Sequence, residues 1–236
     1  MEEFIKNFMK FPYFNKYIIN DIDLENVIGI YIAGSSCLGV EDEYSDYDVV
    51  VLTAKPLNDK KFFERYVRLK YKGRPVHWYY NDISCLFDVS CADEMKILCS
   101  VQLSKWFRIT TIYENPKYLD LILKLDPLKT SISTFACYAF LEANKTLINK
   151  LISQNCILEE DYTKIIYHCC FASSYLTGYP ISVDCLKELK RIRWSPVKQE
   201  YKDYAIEILK KGIDFINTNI INCKKELNNL YDNLYK

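Results

Sequence analysis

Glycine is scarce in this chain: six in 236 residues, with seven prolines and two histidines. No Gly-, Pro- or Ser-rich stretch marks a linker to a tethered module, and there is no internal repeat or low-complexity tract. Net charge is missing too, since 31 Lys+Arg balance 31 Asp+Glu. That excludes a global field for long nucleic acid or an anionic membrane, so any nucleic acid has to be held by a local patch. No apolar run approaches the ~20 residues of a membrane span. Met1 to Lys10 mix charge with Phe and Ile, which predicts no signal peptide. The ten cysteines contain no Cys-x-x-Cys pair, and Cys169 and Cys170 are adjacent. Neither a zinc knuckle nor a disulfide framework fits; Cys37, Cys85, Cys91 and Cys99 lack metal-ligand spacing. The expectation is reduced core thiols in a cytoplasmic protein.

Half of the residues are apolar and 26% are charged, enough for one large domain or two small ones. Phe4, Ile5, Phe8, Met9 and Phe11 predict a leading helix over residues 2–19, interrupted at Pro12. Val27 to Ala33 and Asp46 to Thr53 are predicted strands, followed by a helix from Pro56 to about Lys70. Gly73 closes that helix, and Arg74 to Tyr80 makes a third strand with Pro75 near its start. Asp93 to Lys105 is expected to be helical and Trp106 to Tyr113 a fourth strand, ended by Asn115-Pro116. Beyond Pro116 the strand signals stop. Asp120–Leu125, Ser131–Ile152, Glu159–Leu176 and Lys202–Leu234 carry apolar residues at i, i+3, i+4 spacing. The expected fold is α+β: a small mixed sheet with flanking helices over residues 1–118, then an α-helical bundle over 119–236.

The most informative stretch is residues 34–48. Gly34-Ser35 follows the first apolar strand, and Ser45-Asp46-Tyr47-Asp48 opens the second, which continues Val49-Val50-Val51-Leu52. A Gly-Ser turn allows close backbone approach and offers N–H donors to phosphate oxygens. Carboxylates two apart on a strand share a face, where their like charges repel unless a cation compensates. Hard oxygen ligands suit Mg²⁺. As ordinary structure, the same residues would be a turn and a solvated strand start capped by Ser45. The buried character of the following strand favours a cleft edge instead.

Gly-Ser, ten residues, Asp-x-Asp resembles the signature of the DNA polymerase β-like nucleotidyltransferases, with the minimal and aminoglycoside types most similar in feel. The motif covers residues 34–48, and the strand–helix–strand pattern extends the likeness to about residue 115. The resemblance implies a Mg²⁺-dependent transfer of a nucleoside monophosphate from an NTP, ATP favoured, to an acceptor hydroxyl. Asp46 and Asp48 would be catalytic and hold two metal ions about 4 Å apart. Gly34, Ser35 and Ser45 would bind the nucleotide. In the family a third carboxylate, on a later strand, completes the site.

Here the sequence departs from the pattern. Arg74-Pro75-Val76-His77-Trp78-Tyr79-Tyr80 contains no carboxylate. His77 occupies the place of the acid, and Asp82 and Asp88 follow the strand. Histidine is a general base near neutral pH but a poorer partner than oxygen for Mg²⁺. A half-buried structural histidine is the plain alternative. The missing acid admits a rival function: a weak or inactive nucleotide-binding protein that acts through a protein partner, as in toxin–antitoxin-like pairs.

Lys187, Lys190, Arg191, Arg193, Lys198 and Lys202 surround Trp194, a pattern for RNA or a triphosphate tail, or simply a solvated helix face. His168, with Tyr162 and Tyr167, is expected in the bundle core. Glu41, Asp42 and Glu43 suggest an acidic cleft wall suited to a cationic aminoglycoside. A small molecule or a protein therefore ranks above RNA as acceptor.

Overall fold

The computed structural model describes residues 24–35, 40–41, 45–56, 69–71, 74–87, 110–157, 164–191 and 196–236. Strands β1 (Val27–Ala33), β2 (Tyr47–Thr53), β3 (Leu69–Tyr71), β4 (Arg74–Asp82) and β5 (Thr110–Glu114) form one sheet in the order β3-β4-β2-β1-β5. β2 lies at its centre. It pairs antiparallel with β1 and parallel with β4, so the end of β1 and the starts of β2 and β4 share one end of the sheet. Val49 to Thr53 are all buried, as a run of β-branched and aliphatic residues in a central strand requires.

The helical region comprises α1 (Leu119–Ala143), α2 (Lys145–Gln154), α3 (Lys164–Thr177), α4 (Val183–Arg191), α5 (Gln199–Thr218) and α6 (Cys223–Tyr235). The fold is therefore α+β, a mixed sheet followed by helices. Among the described residues no helix is long and apolar enough to cross a membrane.

Several boundaries differ from the sequence pattern. α1 runs unbroken through Pro127, where separate helices ending at 125 and starting at 131 are expected. Proline removes one N–H donor, but Ile122, Leu125 and Ile132 are buried on both sides of it and hold the axis together. The break falls instead at Asn144, whose Nδ2 donates to the Phe140 carbonyl at 2.9 Å. The expected helix 202–234 divides into α5 and α6, with Asn222 accepting from the Lys225 N–H at 3.2 Å to cap α6. Leu69–Tyr71, expected to finish a helix, forms the edge strand β3. The expected helices over 2–19 and 93–105, and residues 57–68 of the third, lie outside the described residues.

Two buried clusters organise the molecule. One joins Ile28, Val50 and Leu52 of the sheet to Ile122, Leu125 and Ile132 of α1 and to Leu227 and Leu234 of α6. Phe87 meets Tyr231 edge-on across this cluster, with ring centroids 5.3 Å apart. The other is the bundle core, including Cys137, Leu141, Cys169, Cys170, Cys185 and Leu209. Cys137, Cys169, Cys170, Cys185 and Cys223 are buried free thiols and Cys156 is half-buried.

Candidate active site

The motif residues gather where β1 ends and β2 begins. Ala33 pairs with Asp48, and Gly34 turns the chain away at φ 73°. A Cβ at Gly34 would overlap the Asp48 carboxylate. The glycine thus serves two needs: a left-handed backbone and room for a carboxylate on the turn. The two halves of the motif touch through this contact.

Asp48 is held by ladders on both sides, opposite Ala33 on β1 and His77 on β4. Asp46 precedes β2, and the ladder pairings begin only at Tyr47. Asp46 and Asp48 are both partly exposed, while Ser45, two residues before β2, is 3% exposed. Ahead of this segment, the Val40 N–H donates to the Ser35 carbonyl at 3.1 Å.

Two cations from distant parts of the chain meet this segment. Arg74 Nε donates to the Ser45 carbonyl at 2.5 Å, and its guanidinium lies over the Tyr47 ring, 4.3 Å from the centroid. Lys190 of α4 donates from Nζ to the Ser45 hydroxyl at 2.5 Å and to the Val40 carbonyl at 3.3 Å. Tyr167 of α3 feels the site electrostatically: burial first, and then the Asp48 charge, push its hydroxyl pKa up. Lys190 thus brings α4 to this end of the sheet, and the site lies between sheet and helix, a common place for ligands.

Gly34, Ser35, Ser45, Asp46 and Asp48 belong to one motif of the sequence. In the sequence Lys190 stands out only within a basic stretch, Tyr167 only as a neighbour of His168, and Arg74 only as a strand start. Lys190 lies 145 residues from Ser45, so only the tertiary fold joins them. Of the rest of that stretch, Arg191 is exposed and bridges Glu188 at 3.8 Å, and Arg193 and Trp194 lie outside the described residues. His168 packs edge-on between Phe140 and Tyr167, with centroids at 6.3 and 5.1 Å.

The third carboxylate is not supplied by Asp82. That residue pairs with Thr53 at the opposite end of β2, five positions along β4 from His77. At ~3.3 Å per residue this separates it from the Asp48 level by about 16 Å. Its carboxylate instead accepts from the N–H of Ser84, at 2.9 Å, and from the Ser84 hydroxyl. Asp88, Asp42 and Glu43 lie outside the described residues, and Glu41 is exposed. Among the described residues no group of three His, Cys, Asp or Glu is arranged to hold a metal ion.

Residues 16–119 match the model of the nucleotidyltransferase domain family. A spectinomycin adenyltransferase from Enterococcus faecialis, solved with ATP and spectinomycin, is similar over the whole of both chains, at 18% identity and a TM-score of 0.43. A nucleotidyltransferase-like protein from Exiguobacterium sibiricum is similar over 90% of this chain and 76% of its own, at 12% identity and a TM-score of 0.30. No curated protein matches the sequence.

Proposed function

We propose that this chain, whose residues 16–119 match the nucleotidyltransferase domain family, is a Mg²⁺-dependent nucleotidyltransferase. It would move a nucleoside monophosphate from an NTP, with ATP favoured, to an acceptor hydroxyl on a small molecule or a protein. The observation that carries the reading is the contact of the two motif halves, Gly34 against the Asp48 carboxylate. On this reading the α/β part, residues 1–118, holds the nucleotide. The helical part, 119–236, closes the cleft, and the protein works in the cytoplasm.

The donor set fits Mg²⁺, which is commonly held by one or two carboxylates together with substrate phosphates. Asp46 and Asp48 would hold it; when bound, the metal neutralises charge on the transferring phosphoryl group and orients it. The acceptor oxygen forms a bond to the α-phosphorus as the bond from that phosphorus to the bridging oxygen breaks. Pyrophosphate leaves with the electron pair, and the hydroxyl proton passes to a base. Gly34 and Ser35 offer backbone N–H groups to phosphate oxygens, and the Ser45 hydroxyl adds a polar contact. Lys190, already beside Ser45, supplies positive charge next to the triphosphate.

The test is transfer from labelled ATP, GTP, CTP and UTP with Mg²⁺ to small hydroxylated molecules, including aminoglycosides, to proteins and to RNA. Asp46→Ala and Asp48→Ala are each expected to lower transfer by about 10³-fold or more, since such charge stabilisation is worth several kcal/mol. Full activity in the double variant overturns the proposal. Label found only on RNA, and lost on substituting Arg191 and Arg193, overturns the acceptor ranking.

One observation favours a second reading. β4 presents His77 rather than a carboxylate in register with Asp48, and Asp82 is remote. A protein that binds Mg·ATP with no transfer to any acceptor would then act through a protein partner. A rise in melting temperature with Mg·ATP, lost in Asp46→Ala, with no label transferred, is its signature.

A further inference from the structure

Resting on the reading of Asp46 and Asp48 as metal ligands, we propose that Arg74 is a positioning residue. Its guanidinium fixes residues 45–47 so that both carboxylates meet the metal–nucleotide complex in one geometry. The two aspartates have different supports. Asp48 lies within the sheet, paired on both sides. Asp46 lies one residue before β2, outside the ladders.

Arg74 supplies contacts to Ser45 and Asp46, ahead of the ladder, and to Tyr47 where it begins. Nε donates to the Ser45 carbonyl at 2.5 Å, Nη2 to the Asp46 carbonyl at 3.5 Å and Nη1 to the Tyr47 hydroxyl at 3.4 Å. The guanidinium plane also rests on the Tyr47 ring. A planar fork with donors on several edges can bridge successive residues in this way; a lysine, with one compact ammonium, cannot. Arg74 opens β4, and its neighbour Val76 pairs with Tyr47, so the fork is anchored to the strand beside the segment it grips. From the other side Lys190 holds the Ser45 hydroxyl. Catalytic constellations need side chains held to about 0.5 Å, and a 1 Å misplacement costs about 10²-fold in rate. A released Asp46 backbone moves one ligand relative to the other, which weakens the metal site without removing a ligand.

The experiment is a titration of the full chain with Mn²⁺ in the presence of ATP, followed by electron paramagnetic resonance, beside transfer kinetics against Mg²⁺ concentration. Wild type, Arg74→Ala, Arg74→Lys, Tyr47→Phe and Asp46→Ala are compared below their melting temperatures. Arg74→Ala is expected to weaken Mn²⁺ binding and raise the KM for Mg²⁺ by tenfold or more. Arg74→Lys keeps the charge and the stem, and it is expected to recover less than half of that loss on a logarithmic scale. It carries the test if the alanine variant does not fold. Tyr47→Phe removes the Nη1 contact and keeps the ring under the guanidinium, so it should stay within about threefold of wild type. If Asp46→Ala weakens Mn²⁺ binding and the folded Arg74 variants do not, Arg74 is merely structural and this proposal alone falls. If Asp46→Ala leaves Mn²⁺ binding unchanged, the metal-ligand reading falls and takes this proposal with it.

Discussion

At Gly34 one missing methyl group serves both the backbone and the chemistry. Gly34 and Gly178 are the two described glycines with positive φ, at 73° and 67°, but their surroundings differ. A Cβ at Gly178 would meet nothing within 4 Å, whereas at Gly34 it would overlap the Asp48 carboxylate. Both alanine substitutions incur the left-handed penalty, about 1–2 kcal/mol. Gly178→Ala should stop there and leave transfer unchanged at temperatures where the protein is folded. Gly34→Ala should additionally displace Asp48, so Mn²⁺ binding and transfer fall by tenfold or more. Urea unfolding and metal titration on the two variants separate strain from site damage. Equal stability losses with equal, intact metal binding would show that Gly34 is only a turn residue. The motif itself was legible in the sequence because Gly34, Ser35, Asp46 and Asp48 fall within 15 residues, where one strand ends and the next begins. Arg74, Lys190 and Tyr167 were not: their roles depend on the register of β4 and on helices docked over 100 residues later.

Between helices, close approach competes with helix propensity. Gly212 lies in α5 against α3, and a Cβ there would overlap the Ser173 side chain and come within 3.2 Å of Leu141 Cδ1. Alanine gains about 1 kcal/mol of helix propensity over glycine, but overpacking a tight interior costs about 1–3 kcal/mol. Packing should win, so Gly212→Ala is expected to destabilise the protein by about 1 kcal/mol on those opposing magnitudes. The Ser173 hydroxyl is buried and finds no hydrogen-bond partner among the described atoms. Ser173→Ala should therefore stabilise by about 1 kcal/mol, because an unsatisfied buried hydroxyl is removed at little cost in volume. Denaturant midpoints at constant slope measure both signs, and a stabilised Gly212→Ala would mean the interface yields easily. Strand positions were legible from apolar runs, most plainly Val49 to Leu52. Helix ends were less so. The expected break between Leu125 and Ser131 is overridden by burial on both sides of Pro127, and Asn144 and Asn222 end and start helices through side-chain bonds that periodicity does not register. β3 escaped notice because three residues on a sheet edge carry too short a pattern.

Across the whole molecule, the sequence change near residue 118 marks a change of element type, while a shared core crosses it. The sheet cluster is completed by Ile122, Leu125 and Ile132 from α1 and by Leu227 and Leu234 from α6. Leu234 is 3% exposed although it lies two residues from the end of the chain. α6 thus packs back on the sheet after the bundle has been built, which couples the last helix to the strands that carry Asp48. The bundle has its own reporters. Burial holds the thiols of Cys137, Cys169 and Cys170 well above the usual range and pushes Cys185 up to about 12. They should resist alkylation until the bundle opens, because the thiolate is the reactive form. Leu227→Ala and Leu234→Ala should each cost about 2–5 kcal/mol, the usual range for a buried leucine. If sheet and bundle form one cooperative unit, each variant lowers the urea midpoint equally by circular dichroism and by alkylation of Cys137, Cys169, Cys170 and Cys185, resolved by mass spectrometry. Mg·ATP should raise both midpoints together, since a ligand bound at the sheet end stabilises everything that unfolds with it. A Leu234→Ala variant that loses sheet signal first while those cysteines stay protected would show two independently folding halves.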